Sequence, residues 1–214
     1  MGALIENIIA LDKEWFCRLG IEHTAFLDSF MMRFTTTEVW LPFFALIIYV
    51  LVKNAKRDSV YIIVALLLVV LLADQISSSI LKPLTERLRP SHNPAMEACV
   101  QLVNGYRGGH YGFVSSHAAN TMGIALFTSL LFRYAPYTLC VFAWALVNCY
   151  TRIYLGVHYP LDLLGGAVVG FLSAGTVYFV WKRKQQSPVP YVERKDLQIL
   201  STAILVTTVL IALL

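Results

Sequence analysis

From Val60 to Ala73 the sequence reads VYIIVALLLVVLLA, with no charged side chain anywhere in the run. A helix on the surface of a soluble domain keeps one polar face, and this stretch keeps none. About 20 mostly apolar residues cross a bilayer as a helix, and the run extends to Leu81 with few interruptions. Similar runs occur at about 39–52, 118–131, 139–154, 160–181 and 197–214. Composition agrees: 57% of the 214 residues are hydrophobic and 14% are charged, with a mean hydropathy of +0.65. A soluble domain of this length carries more charge. The sequence therefore predicts an all-α integral membrane bundle of about six transmembrane helices.

Residues 1–37 fit a different pattern. IENIIALDKEWFCRLG and TAFLDSFMMRF mix apolar and charged positions, and neither is long enough to span. They read as amphipathic helices in the membrane interface. The chain is then a single domain. It has an interfacial segment (1–37), a helical core (38–181), a basic linker (182–196) and a C-terminal transmembrane helix (197–214).

Six spans sort their ends onto two sides. Lys53, Lys56, Arg57, Arg133, Lys182, Arg183, Lys184, Arg194 and Lys195 fall on one side, which the positive-inside rule makes cytoplasmic. The long connection 82–116, the corner 151–159 and both termini fall on the other. The net charge of +4 is spread over these helix ends, and no nucleic-acid partner is expected. Of the four cysteines, Cys140 and Cys149 lie inside an apolar run and read as packing residues. A disulfide between Cys17 and Cys99 cannot be deduced from spacing.

Three stretches on the outward side carry the polar chemistry. In KPLTERLRP, Lys82 and Arg89 are seven apart, so on a helix ended by Pro90 they share a face. Two cations at a membrane surface suit a phosphate, one as a point charge and one as a fork. They also suit a basic helix end that snorkels. In VSSHAAN, Ser115, Ser116 and His117 lead into an apolar helix. Free N–H groups at a helix start bind anions, and a serine there can equally serve as a cap. In TRIYLGVHYPLDL, Pro160 fits a first helical turn. That places His158 just before the helix and Asp162 within reach of its Nδ1–H. The same pair read singly is a helix-dipole acid beside an interfacial histidine.

The whole pattern resembles the three-part signature of the type-2 phosphatidic acid phosphatase superfamily. Lys82 is followed after six residues by Arg89-Pro90, then by Ser115-Ser116-His117, then by Arg152, His158 and Asp162. The middle motif usually reads Pro-Ser-Gly-His, and here it is Val114-Ser115-Ser116-His117. The last motif usually opens Ser-Arg, and here it opens Thr151-Arg152. The resemblance implies roles at matching positions. His158 is the nucleophile that becomes a phosphohistidine, Asp162 orients it, and His117 protonates the leaving oxygen. Lys82, Arg89, Arg152, Ser115 and Ser116 bind the phosphate. No metal or other cofactor is implied.

Other residues are accessory candidates. Asp74 lies in the second span, with Ser78 midway to Lys82 on the same face, and an intramembrane acid is a functional candidate. Arg87 and Arg107 could reach a second phosphate or a head group, or sit as solvated loop charges. Gly165, Gly166 and Gly170 suit close helix packing.

The resemblance implies a lipid phosphatase or diphosphatase with a membrane lipid as substrate and water as acceptor. Undecaprenyl pyrophosphate and lipid A phosphate rank first, then phosphatidylglycerol phosphate and phosphatidic acid. A transferase passing the phosphoryl group to a lipid or sugar is the alternative. A lipid-phosphate transporter would need the cations but not His158, Asp162 and His117. The expected place is a bacterial cytoplasmic membrane, with the site facing outward.

Overall fold

The computed structural model describes residues 2–20, 22–185 and 192–214. Nine helices account for most of them: α1 (Gly2–Leu19), α2 (Ala25–Phe34), α3 (Leu41–Ala55), α4 (Ser59–Gln75), α5 (Lys82–Thr85), α6 (Ser116–Phe132), α7 (Ala135–Tyr154), α8 (Pro160–Lys184) and α9 (Arg194–Leu213). Among the described residues there is no sheet, only an isolated antiparallel bridge between Leu88 and Tyr111. The all-α membrane bundle expected from the sequence is the observed architecture.

Among the described residues, three helical stretches are long and apolar enough to cross a membrane: Thr37–Thr85, which holds the α3–α4 pair, then Pro160–Lys184 and Arg194–Leu213. Their outer faces carry exposed Ile48, Tyr61, Leu67, Leu71, Leu172 and Val209. Exposed apolar faces of this extent are tolerable only against lipid. α6 lies at the centre, packed on α4, α7 and α8.

The contact between α6 and α8 depends on missing side chains. A Cβ on Gly166 would strike the Ser115 carbonyl and the Ala118 side chain, and one on Gly170 would strike the backbone of Ala119 and Gly123. The glycine spacing in α8 thus lets two backbones touch. Above this contact sit the start of α6 and the start of α8.

The basic side is held separately. Asp196 accepts hydrogen bonds from Lys53 Nζ at 2.8 Å and Asn54 Nδ2 at 2.8 Å, tying α9 to α3. The linker expected at 182–196 is shorter than drawn, because α8 runs on through Lys184 and α9 begins at Arg194. Its proline-containing part, 186–191, lies outside the described residues.

The N-terminal region forms two helices. α1 buries only Asp12 and Phe16, while Leu4, Ile5, Ile8, Leu11 and Trp15 are exposed. Most of its apolar side chains face away from the protein, as an interfacial helix requires. Cys17 and Cys99 are joined in a disulfide that ties α1 to the long connection.

Candidate active site

The site forms where α4–α5, the 86–115 connection, the start of α6 and the α7–α8 corner converge. His158 lies in the short corner after α7 and is 1% exposed. Its backbone N–H donates to the carbonyl of Arg152 at 3.2 Å, which fixes the corner. Its Nδ1 faces Asp162 Oδ2 at 3.3 Å. Asp162 sits in the first turn of α8 and also accepts from the Tyr159 N–H at 3.0 Å, so the carboxylate caps the helix that carries it. With Nδ1 engaged, Nε2 is the free nitrogen of the ring. Burial, then the charges of Arg89, Arg152 and Lys82, hold the His158 pKa well below the usual imidazole range.

The cations gather around this pair. Arg152 is 1% exposed. Its Nη1 donates to Thr35 Oγ1 and its Nη2 to Tyr106 Oη, both at 2.9 Å. Its Nε has no hydrogen-bond partner among the described residues. A buried guanidinium donor without an acceptor is costly, and an anion would relieve it. Arg89 is buried, and its Nε donates to the Tyr111 carbonyl at 3.0 Å. Lys82 Nζ lies 3.3 Å from both Ser78 Oγ and Ser116 Oγ.

Lys82 and Arg89 meet in space, but not along a helix face as expected. α5 ends at Thr85, and Glu86 adopts a left-handed conformation (φ 46°, ψ 24°). The chain turns there, and Arg89 N bonds the His110 carbonyl at 3.2 Å beside the Leu88–Tyr111 bridge. Pro90 opens a 3-10 turn rather than ending a helix. Lys82 follows a π-helical turn at Ile76–Leu81, a widening that recurs at functional sites.

The second stretch arrives as predicted. Ser115 is the N-cap of α6, its Oγ accepting from the Ala118 N–H at 3.4 Å. The side chain is therefore committed first to capping. Ser116 and His117 occupy the first turn, with Ser116 Oγ against Lys82. Ser116 and His117 also line a cavity of about 430 Å³ that descends between α3, α4, α6 and α7, with Asp74, Asn120, Ile63 and Trp144 in its wall. Asp74 joins the site through Ser78, whose Oγ donates to its carboxylate at 3.4 Å.

Two accessory candidates do other work. Arg87 is engaged by two carboxylates. Its Nη1 donates to Asp162 Oδ1 at 2.9 Å, and its Nη2 pairs with Asp12 of α1. Its guanidinium also lies 4.3 Å over the Tyr159 ring. Arg107 Nη1 donates to the Ser91 carbonyl at 2.6 Å, and Ser91 N donates to the Gly156 carbonyl at 2.9 Å. Arg107 thus pins the connection onto the α7–α8 corner. Arg87 is not a solvated loop charge, because its acceptors lie on distant segments, whereas Arg107 stays exposed while it makes this backbone contact.

Sequence reasoning missed Asp12, Thr35, Tyr106 and Gly112. A Cβ on Gly112 would stand 2.8 Å from Asp162 Oδ2, so the connection crosses the carboxylate at backbone distance. Asp12 did leave a signal: it is an acid four residues before Phe16 on the apolar side of α1. Burial pushes its carboxyl up, opposed by Arg87 and the Leu161 N–H. Among the described residues no group of three His, Cys, Asp or Glu side chains could hold a metal ion.

The arrangement can hold a phosphoryl group over a buried imidazole and stabilise charge on its oxygens with cations and N–H groups. Comparison with known proteins agrees. A lipid A 4'-phosphatase from Bacteroides thetaiotaomicron is 40% identical over 87% of this chain and 86% of its own. One from Porphyromonas gingivalis is 37% identical over 83% and 75%. The crystal structure of Aquifex aeolicus LpxE superposes with a TM-score of 0.61 at 26% identity, covering 77% of this chain and 92% of that one. The profile of the PAP2 superfamily matches residues 61–186, the region that contains every motif residue from Lys82 to Asp162. The chain belongs to the PAP2 superfamily, in its bacterial membrane lipid-phosphatase branch.

Proposed function

We propose that this protein removes a phosphate from lipid A through a phosphohistidine intermediate, and that the 4'-phosphate is the one removed. The observation that carries the reaction is the buried His158–Asp162 pair within the field of Arg89, Arg152 and Lys82, with the Nε of Arg152 left without a partner among the described residues. The substrate is supported by the extent of likeness to the two lipid A 4'-phosphatases.

His158 Nε2 attacks phosphorus while Nδ1–H stays on Asp162. The bond to the sugar oxygen breaks, and His117 gives that oxygen its proton. Lys82, Arg89, Arg152 and the Ser116 N–H neutralise the phosphoryl oxygens. Water then attacks the phosphohistidine, returning a proton to His117, and inorganic phosphate leaves. Every charge that develops has a protein partner, so the mechanism uses no metal.

The cavity beside His117 suits an acylated lipid. Its wall is mostly apolar, with Thr35, Thr37 and Asp74 also in the lining and a polar belt one turn below the site, where Asn120, Thr121 and Asn148 lie. The Asn120 amide oxygen is buried with no partner among the described residues. Acyl amides and hydroxyls near the phosphate of lipid A can bond such a belt, whereas a polyprenyl chain offers it nothing. This favours lipid A over undecaprenyl pyrophosphate.

The basic helix ends place the opposite side in the cytoplasm. The Cys17–Cys99 disulfide lies on the side of the site, as an oxidising periplasm permits. We therefore place the protein in the inner membrane with its site facing the periplasm.

The test is phosphate release by the purified protein from each of the four candidate lipids, in EDTA. Release from lipid A 4'-phosphate that His158→Ala abolishes is the expected result. Activity retained by a folded His158→Ala protein overturns the mechanism. Preference for another lipid overturns the substrate, and loss of activity in EDTA overturns metal independence.

A further inference from the structure

Asp12 belongs to a helix outside the profile match, yet it ends in the catalytic centre. Its side chain is 1% exposed and pairs with Arg87 Nη2, while the other arm of the same guanidinium holds Asp162 Oδ1 at 2.9 Å. The second Asp12 oxygen accepts from the Leu161 N–H at 2.9 Å, in the first turn of α8. One carboxylate therefore fixes both the arginine that holds Asp162 and the helical turn on which Asp162 is mounted.

We propose that Asp12, acting through Arg87, is a positioning residue for the His158–Asp162 pair, which makes the N-terminal interfacial helix part of the catalytic apparatus. The inference rests on the proposed histidine mechanism.

Few contacts fix the Asp162 carboxylate. Oδ2 is shared by the Tyr159 N–H and His158 Nδ1. Oδ1 is held by Arg87 alone among the described residues. Arg87 is a planar fork, so its two arms cannot move independently. With Asp12 at one arm, the other is aimed at Oδ1. Without that anchor, the guanidinium is free to rotate onto Asp162 or toward solvent, and either change turns the carboxylate beneath His158. A buried pair that loses one partner does not stay where it was. The disulfide at Cys17, about one turn along α1 from Asp12, and the ring of Phe16, 5.6 Å from that of Tyr159, hold the helix in register with this network.

The alternative is that Asp12 merely caps α8. Asp12→Asn separates the two, because an amide oxygen still accepts from Leu161 but no longer anchors a guanidinium by charge. The full-length protein is assayed in detergent on lipid A and on the most rapidly cleaved lipid of the panel, with His158→Ala as the blank.

Asp12→Asn is expected to lower kcat by about 10-fold or more, with KM within about 2-fold, as loss of alignment does. Asp12→Glu is expected to recover part of that loss. Arg87→Gln should lower kcat at least as much, and the double variant no further, because both act through one contact. Wild-type kcat in Asp12→Asn, or additive losses in the double variant, overturns the proposal. So does a rise in KM with kcat unchanged. If Asp12→Asn melts early, a folded Asp12→Glu variant with no recovery of kcat overturns it. An active His158→Ala protein overturns this proposal together with the mechanism. An inactive blank beside a fully active Asp12→Asn protein overturns this proposal alone.

Discussion

The Ser115 N–H donates to the Asp162 carbonyl at 2.9 Å, joining the start of α6 directly to the first turn of α8. This bond places the Ser116–His117 turn beside the His158–Asp162 pair. It exists because Gly166, one turn further along α8, allows the Ser115 backbone to lie against it.

Gly166→Ala should therefore destabilise the protein by about 1–3 kcal/mol, the usual cost of overpacking a tight contact. The same change should lower kcat, since the two motifs must separate. Thermal melting in detergent and initial rates measure both. An unshifted melting temperature would show that α6 and α8 have room to spare.

Asp162→Asn should reduce kcat by about 10³–10⁴-fold, as loss of the orienting acid does when the wrong imidazole tautomer results. Rapid acid quench with labelled lipid would trap the phosphohistidine in the wild type and little in this variant. An unchanged yield of intermediate would remove Asp162 from the attacking step.

The pH profile follows from His158. A nucleophilic imidazole must be unprotonated, and burial together with Arg89, Arg152 and Lys82 disfavours its protonated form. The lowered pKa means that the neutral form persists as the pH falls through the ordinary imidazole range. The acid limb of kcat/KM assigned to His158 should lie below about 6.5, the ordinary imidazole value. A limb above that value, shifted by removing one of the three cations, would contradict the electrostatics.

Asn120→Leu should lower kcat/KM for lipid A by about 10-fold or more, because a site built to bond polar groups loses its partner. Hydrolysis of a polyprenyl phosphate should hold or improve. Equal losses on both lipids would mean that the belt does not select the chain.

Much of the site was legible because its spacing is local. Arg152, His158 and Asp162 span one helix end, one corner and one first turn, so Pro160 and the register sufficed to bring them together. The start of α6 was equally visible. Lys82 and Arg89 come together for a reason other than the helix face: the chain leaves the helix at Glu86, and the backbone at His110 and Tyr111 holds Arg89 at the site. The partners of Arg87 could not be read, since they lie 75 residues away in either direction.

By itself, the sequence determined the membrane bundle and the motifs that hold the candidate reacting groups. Apolar runs leave no soluble alternative, and each motif sits within a turn or two of a helix end. Tertiary structure alone decided what holds those groups in place. Asp12, Thr35, Tyr106 and Gly112 lie far along the chain or carry no signal of their own, and a buried charge takes whichever partner the packing brings within reach.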